Sequence, residues 1–327
     1  MRIAATLVFA CLLTWNAFPV RDRDISGPFD HDNLRIFLLR GAAAAGAQEY
    51  STLEEAMAAG TLRIGERTEG ATVGQLEVEN TGHRPVFLQA GDTLKGGKQD
   101  RTIGTDTIVP PRSGRQPLTA FCVEPQRWAL KTLTAAEADF RSNDGRGNLA
   151  TLEQRLALKL DRNQSSVWKY NAYGNQALSR ECGNLVNDSF AMNVDDPLVQ
   201  ARVKAYVDAL VGAPAGRDDV VGMAFAINGR INSADVYASP GLFRKMWPKL
   251  LRTCALEAII KRSGPHSTTA ATDAHVRTLL AEAAKGTERD RLASGETECR
   301  TRSQGKYVQF ETRFRGVAGH IGFSMMD

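Results

Sequence analysis

The stretch that decides the fold is Pro85–Trp128, PVFLQAGDTLKGGKQDRTIGTDTIVPPRSGRQPLTAFCVEPQRW. Val86–Leu88 is a short apolar run that fits a buried strand. Gly91, Gly96 and Gly97 free the backbone for turns or for close approach to a ligand. Lys95, Lys98 and Arg101 set positive charge beside Asp92 and Asp100. Thr102–Val109 is β-branched and partly alternating, which predicts a strand. Pro110-Pro111 stops it, since proline cannot donate to a ladder. Arg112-Ser113-Gly114 is a turn signal, and Pro117–Glu124 returns as a second strand with Phe121 and Val123 on one face.

The glycines and Lys98 invite comparison with a phosphate loop. From Gly91 the count to Gly97-Lys98 is one residue too long for a Walker motif. Gln99 also stands where a hydroxyl would hold magnesium, and the following residues are strand-like rather than helical. The Walker reading fails. Two others stay open. Backbone N–H groups of Gly96 and Gly97, with Lys98, Gln99, Arg101 and Arg127, could hold an anion while Asp100 or Glu124 activates water. Alternatively the charges pair with one another and the turn is structural.

Several strings resemble a bacterial domain family named for its association with ADP-ribosylglycohydrolase and rhodanese-phosphatase domains. They are GGKQDR (Gly96–Arg101), VPP (Val109–Pro111), FCVE followed by Arg127-Trp128, Val167-Trp168, AINGR (Ala226–Arg230), Asp235 and WPKLL (Trp247–Leu251). The resemblance runs from about Leu34 onward. It implies a fold more than a reaction, and no catalytic residue is carried over from it. The namesakes hint at phosphate or ADP-ribose chemistry by neighbourhood alone.

Outward from that stretch, Met1–Val20 carries Arg2, a run of apolar and small residues over Ile3–Leu13, and then Arg21-Asp22-Arg23-Asp24. This fits a secretory signal peptide and is short for a membrane span. Trp15-Asn16-Ala17 makes a poor cleavage site, so an uncleaved anchor stays open and is the only membrane contact expected. A periplasmic or secreted protein follows. Residues 21–33 read as a polar linker, and residues 34–327 as one domain. Apolar content of 43% and a charged fraction of 24% suit a chain that buries a core. A net charge of +4 with no clustered basic face gives no reason to expect nucleic acid.

Within that domain Leu34–Leu39 and Gln75–Glu79 read as strands. Ser51 caps a short helix ended by Gly60, with Glu54 completing the box. Helices are expected over Ala135–Phe140, over Leu149–Leu160, after Asn163, and after Asp195 or Asp196. Asn228-Gly229 between apolar runs is a hairpin signal. Leu242–Ile260 is the strongest helix, its charges expected on a solvated side. Asp273 caps a last helix, Gly286–Gln304 is polar and reads as mobile, and Tyr307–Phe314 and His320–Phe323 read as strands that rejoin the β unit. The fold class is α+β, with a mainly antiparallel β unit and five to six helices.

Searches for chemistry come back thin. The five histidines form no His-x-x-His pattern, and there is no Cys-x-x-Cys or Gly-x-Ser-x-Gly. No metal and no cofactor are expected. Asp235 joins Asp100 and Glu124 as a candidate acid or base, and Cys122 reads as a buried structural thiol more readily than as a nucleophile. Of the four cysteines after Cys11, Cys182 and Cys299 have polar flanks and are expected to pair, leaving Cys122 and Cys254 reduced. Two function classes remain: a domain that binds or hydrolyses a small anionic ligand, and a non-catalytic envelope module that is structural or binds a partner.

Overall fold

The computed structural model describes residues 20–66, 74–96, 99–123, 140–142, 149–183, 185 and 189–326. The chain opens with β1 (Val20–His31), β2 (Leu34–Gly41), β3 (Ser51–Thr52), α1 (Leu53–Ala58), β4 (Leu62–Glu66) and β5 (Gln75–Asn80). The decisive stretch supplies β6 (Val86–Leu88), β7 (Thr93–Lys95), β8 (Arg101–Ile103), β9 (Thr107–Val109) and β10 (Gln116–Cys122). After β11 (Arg141–Ser142) come α2 (Leu152–Leu156), a π-helical turn (Ala157–Asp161), α3 (Gln164–Cys182), α4 (Phe190–Val194) and α5 (Pro197–Leu210). The last part holds β12 (Val220–Ile227), β13 (Arg230–Tyr237), α6 (Pro240–Lys261), α7 (Asp273–Ala284), β14 (Thr287–Ser294), β15 (Thr297–Gln304), β16 (Tyr307–Phe314) and β17 (Val317–Met325).

The fold is α+β. Its backbone is an eight-stranded antiparallel sheet in the order β1-β2-β12-β13-β17-β16-β15-β14. Alternation along β2 explains its two faces. Ile36 and Leu38 pack in the cluster of α6, beside Leu250 and Leu251, while Phe37 and Leu39 pack with Val276 and Leu279 of α7. The two helices therefore cover opposite faces. A six-stranded sheet, β11-β7-β8-β10-β5-β4, and a small sheet, β3-β6-β9, form the second β unit. Asn228 and Gly229 adopt φ of 52° and 78°, the left-handed pair that joins β12 to β13.

The structure revises several expectations. Residues 21–33 are not a linker: they fall largely within the edge strand β1, where Ile25 pairs with Leu39 and Phe29 with Ile36. Gly27-Pro28 sits at a register shift of that edge strand, where proline is tolerated, so the linker-like composition misled. Thr102–Val109 is two strands in different sheets, broken at Gly104, Thr105 and Asp106. A Cβ at Gly104 would meet the Phe121 ring at 2.7 Å. Ser51 is taken up by pairing with Val86, so the cap of α1 shifts by one residue to Thr52 with Glu55. Thr272, not Asp273, is the cap of α7. Gly286–Gln304 is mostly the β14–β15 hairpin: its polarity reflects a two-sided, solvated sheet edge. The helix expected at Ala135–Phe140 lies almost wholly outside the described residues, as does the N-terminal apolar run. Seven α-helices are present among the described residues, α4 being one with no expectation behind it.

Cys182 and Cys299 are both free thiols, so the expected bridge is absent. The polar flanks Glu298 and Arg300 lie on the opposite strand face from Cys299. The Cys299 Sγ faces inward, 3.2 Å from the Asp106 carbonyl and 3.6 Å from Thr312 Oγ1. Cys122 and Cys254 are buried and free, as expected.

Gly222 of β12 marks the tightest backbone approach in the large sheet. A Cβ there would stand 2.4 Å from the Asp235 carbonyl oxygen and 2.9 Å from Val236 Cα. Gly222→Ala is predicted to destabilise the fold by about 1–3 kcal/mol, since backbone rather than a mobile side chain must give way. A lowered urea midpoint at unchanged slope is the expected readout. An unchanged midpoint would show that the β12–β13 pair is looser than this.

Candidate functional site

Of the predicted site, Gly96, Gln99, Asp100 and Arg101 lie among the described residues, whereas Gly97, Lys98, Glu124 and Arg127 lie outside them. Arg101 is 3% exposed and already engaged. Its guanidinium donates to Gln99 Oε1 at 3.0 Å, to Cys122 Sγ at 2.5 Å and to Glu66 Oε1 at 3.2 Å. Asp100 accepts from the Gly96 N–H at 3.1 Å. Burial pushes the Cys122 thiol up, with Arg101 only partly offsetting it, so this is no activated thiolate. The Gln164 amide clips the Cys122 backbone, accepting from its N–H at 2.9 Å and donating to its carbonyl at 2.7 Å. The cavity behind this unit, beside Thr102 and Asn171, measures about 20 Å³, room for one water.

A larger constellation runs through the interior. The break between β8 and β9 places Asp106, 3% exposed, between the two β units. Its Oδ1 accepts from the Ala90 N–H at 2.8 Å and pairs with Lys159 Nζ at 3.2 Å. Its Oδ2 accepts from Thr312 Oγ1 at 2.9 Å and contacts His320 Nδ1 at 2.7 Å. The other ring nitrogen of His320, Nε2, faces Asp235 Oδ1 at 3.1 Å. A carboxylate on each nitrogen requires an N–H on both, which is imidazolium. Burial disfavours that charge, but Asp106 and Asp235 outweigh it and raise the ring above its ordinary value. Burial likewise opposes ionisation of Asp106, yet Lys159 and His320 hold it well below the usual carboxylate range. Asp235 falls to about 2, burial being overcome by Arg155 and His320. Tyr237 stacks on the imidazole with centroids 4.8 Å apart and donates its hydroxyl to Gln89 Oε1 at 2.8 Å.

From Asp235 the chain continues outward. Arg155 lies 3.4 Å from Asp235 and 3.9 Å from Glu257, which is fully buried on α6. Glu257 accepts from the Leu152 N–H and from Asn232 Nδ2, each at 2.8 Å, and sits 3.8 Å from Lys261 Nζ. Burial lifts its carboxyl to about 7, with Lys261 and Arg155 opposing and Glu153 adding to the rise. On the same helix Lys249 bonds to Asp92 at 2.5 Å and Glu54 at 2.9 Å. Lys249, Thr253 and Glu257 thus form a buried polar stripe at four-residue spacing. The expectation that the charges of α6 lie on a solvated side fails at two of them, Lys249 and Glu257.

Asn232 and Lys261 also line an open cleft of about 420 Å³. Leu152, Leu156 and Leu160 from α2 and the π-helical turn, with Tyr170 and Tyr173 of α3, contribute to its lining. So do Ile227, Ile231 and Met325 from the large sheet, together with exposed Arg230 and Asp161. The π-helical turn explains how one short segment serves both sites. Its wider winding, closed by the left-handed Arg162 at φ 49°, turns Lys159 to Asp106 and leaves Leu160 and Asp161 on the cleft. Sequence reasoning singled out Asp235 and the AINGR string but missed His320, Asp106, Glu257 and the cleft. The four-residue spacing of Lys249, Thr253 and Glu257 was the one signal available.

The chain belongs to the family described as the ARG and Rhodanese-Phosphatase-superfamily-associated Protein domain, ARPP-1, whose match covers residues 22–322. Neither a curated protein nor a solved structure matches it.

The His320 clamp makes a signed prediction. A ring raised above its unfolded value of 6.5 contributes stability that is fully present below pH 6.5 and lost as pH rises through the folded value. His320→Gln is predicted to lose about 3–5 kcal/mol in acid solution, because two buried carboxylates are left facing an uncharged amide. The gap from wild type should narrow as pH climbs past the folded pKa of the ring. Denaturant melts across pH, with the imidazole protons followed by NMR, check both points. A ring titrating at its ordinary value, or a gap flat with pH, would refute the imidazolium.

Proposed function

We propose that this ARPP-1 domain binds a small anionic ligand in the cleft between the α2–α3 arm and the Asn228-Gly229 hairpin. One observation carries the reading: an open cleft of ligand size that holds Arg230, a cation with no ion-pair partner among the described residues. A guanidinium matches carboxylate and phosphate oxygens in a bidentate fork, which suits it to recognise such a group. Lys261 adds positive charge but shares it with Glu153 at 2.6 Å and with Glu257. The apolar run Ile3–Leu13 supports an exported protein that meets its ligand in the periplasm or beyond.

The described part of Gly96–Arg101, together with Cys122, supports a different role. Arg101 spends its donors on Gln99, Cys122 and Glu66, which favours a structural charge network over an anion site there. Such internal bracing accords with the structural charge network of the non-catalytic reading.

Arg230→Ala is predicted to keep the melting temperature and weaken anion binding roughly tenfold to a hundredfold, the loss of a charged hydrogen-bonded contact worth about 1.5–3 kcal/mol. Arg101→Lys is predicted to lower the melting temperature and leave ligand-induced stabilisation intact. Scanning both variants by thermal shift against phosphate, sulfonate and carboxylate ligands decides between the sites. If Arg101→Lys instead removed the response to anions, the ligand site would move to the Gly96–Arg101 stretch.

A pH dependence follows from Glu257. As pH falls through about 7 it takes up a proton, and Lys261 is less neutralised. Affinity for a sulfonate, whose own charge is fixed, is predicted to rise several-fold over that fall, on the order of 1 kcal/mol. Calorimetric titration should show the rise in wild type and a flat profile in Glu257→Gln. A profile that is equally steep in the variant would remove Glu257 from the account.

A further inference from the structure

We infer that the cleft ligand joins a planar aromatic ring to its anionic group and also carries a hydrogen-bond donor. The inference rests on the anion reading above and specifies its chemistry. Tyr170 and Tyr173 are one helical turn apart on α3 and both line the cleft. Tyr173 leaves 47% of its surface exposed, with no hydrogen bond or ring contact inside the described protein. A tyrosine held open on a rigid helix is a stacking platform that every planar ring can use.

Met325 at the end of β17 and Met326 just after it also line the cleft, both half-buried. Thioethers are polarisable and make favourable contacts with aromatic edges. Leu152, Leu156, Ile227 and Ile231 add apolar lining to the same cleft as Arg230. An inorganic anion would leave that lining uncovered, where a flat ring would cover it.

Charge complementarity supplies the third element. Asp161 is exposed on the cleft and, like Arg230, has no ion-pair partner among the described residues. Glu153, by contrast, is committed to Lys261 at 2.6 Å. A carboxylate that accepts only and a guanidinium that donates only, both on the cleft and both without an ion-pair partner among the described residues, suit a ligand with a donor as well as an anion. Hydroxyls of a sugar or an ammonium group both satisfy it. A nucleoside monophosphate and an aromatic amino acid therefore share the recognised chemistry.

The test is calorimetric titration of the full chain with four probes: a nucleoside monophosphate, an aromatic amino acid, ribose 5-phosphate and inorganic phosphate. At least one ring-bearing probe is expected to bind about tenfold or more tightly than both ring-less ones, the size of a stacking contact. Tyr173→Leu, at an exposed position, should erase that difference. Asp161→Asn should weaken the ring-bearing probe by about tenfold. Which of the two ring-bearing probes prevails identifies the donor as hydroxyl or ammonium. Ring-less anions that bind as well as ring-bearing ones, in wild type and Tyr173→Leu alike, would overturn the inference and leave the anion reading standing. If no probe binds wild type, or all bind Arg230→Ala undiminished, the anion reading falls and this inference with it.

Discussion

His320 holds the two β units together, and most of the interior is arranged to let it do so. Its ring is wholly buried between Asp106, from the β8–β9 break, and Asp235, from the centre of the large sheet. Removing three charged groups from water is expensive, and their attraction repays it only when the remaining hydrogen-bonding positions are filled. Asp106 meets that condition with four partners. Gln89 and Tyr237 bind the same cluster to the end of β6. The arrangement is directional, so it fixes how the two units meet in a way that apolar packing alone does not.

The same requirement explains what the sequence made legible. Elements defined by local chemistry were readable. Asn228-Gly229 needs positive φ, and the β12–β13 hairpin follows from it. Asp196 and Pro197 set the start of α5, and the periodicity of Leu242–Ile260 gives α6. The α+β class and the return of the C-terminal strands to the β unit came from alternation.

What stayed hidden was whatever depends on partners far along the chain. Asp106 read as one residue within a β-branched strand, because nothing nearby announces a carboxylate whose counter-ion lies 214 positions away. His320 read as the start of a short strand for the same reason. Lys249 and Glu257 looked like solvated charges, since burial is decided by α2 and by Glu54 and Asp92 rather than by their neighbours in sequence. Leu149–Leu160 read as an ordinary helix, because a π turn is made by tertiary contacts and not by the spacing of leucines. Of the candidate site, Arg101 and Asp235 were singled out in the sequence as charged residues, but their partners were not. The cleft was invisible because its walls come from four separate parts of the chain.

The order of strands in the large sheet has a consequence for biogenesis. β17 lies between β13 and β16, and it carries His320. It also leaves the ribosome after every other described element. Until it arrives, β13 and β16 each have an open edge, and Asp106 and Asp235 have no imidazolium between them. Long-range pairing of this kind closes late and slowly. The strand edges left open in that interval are the kind of surface that mispairs and that a holding chaperone covers.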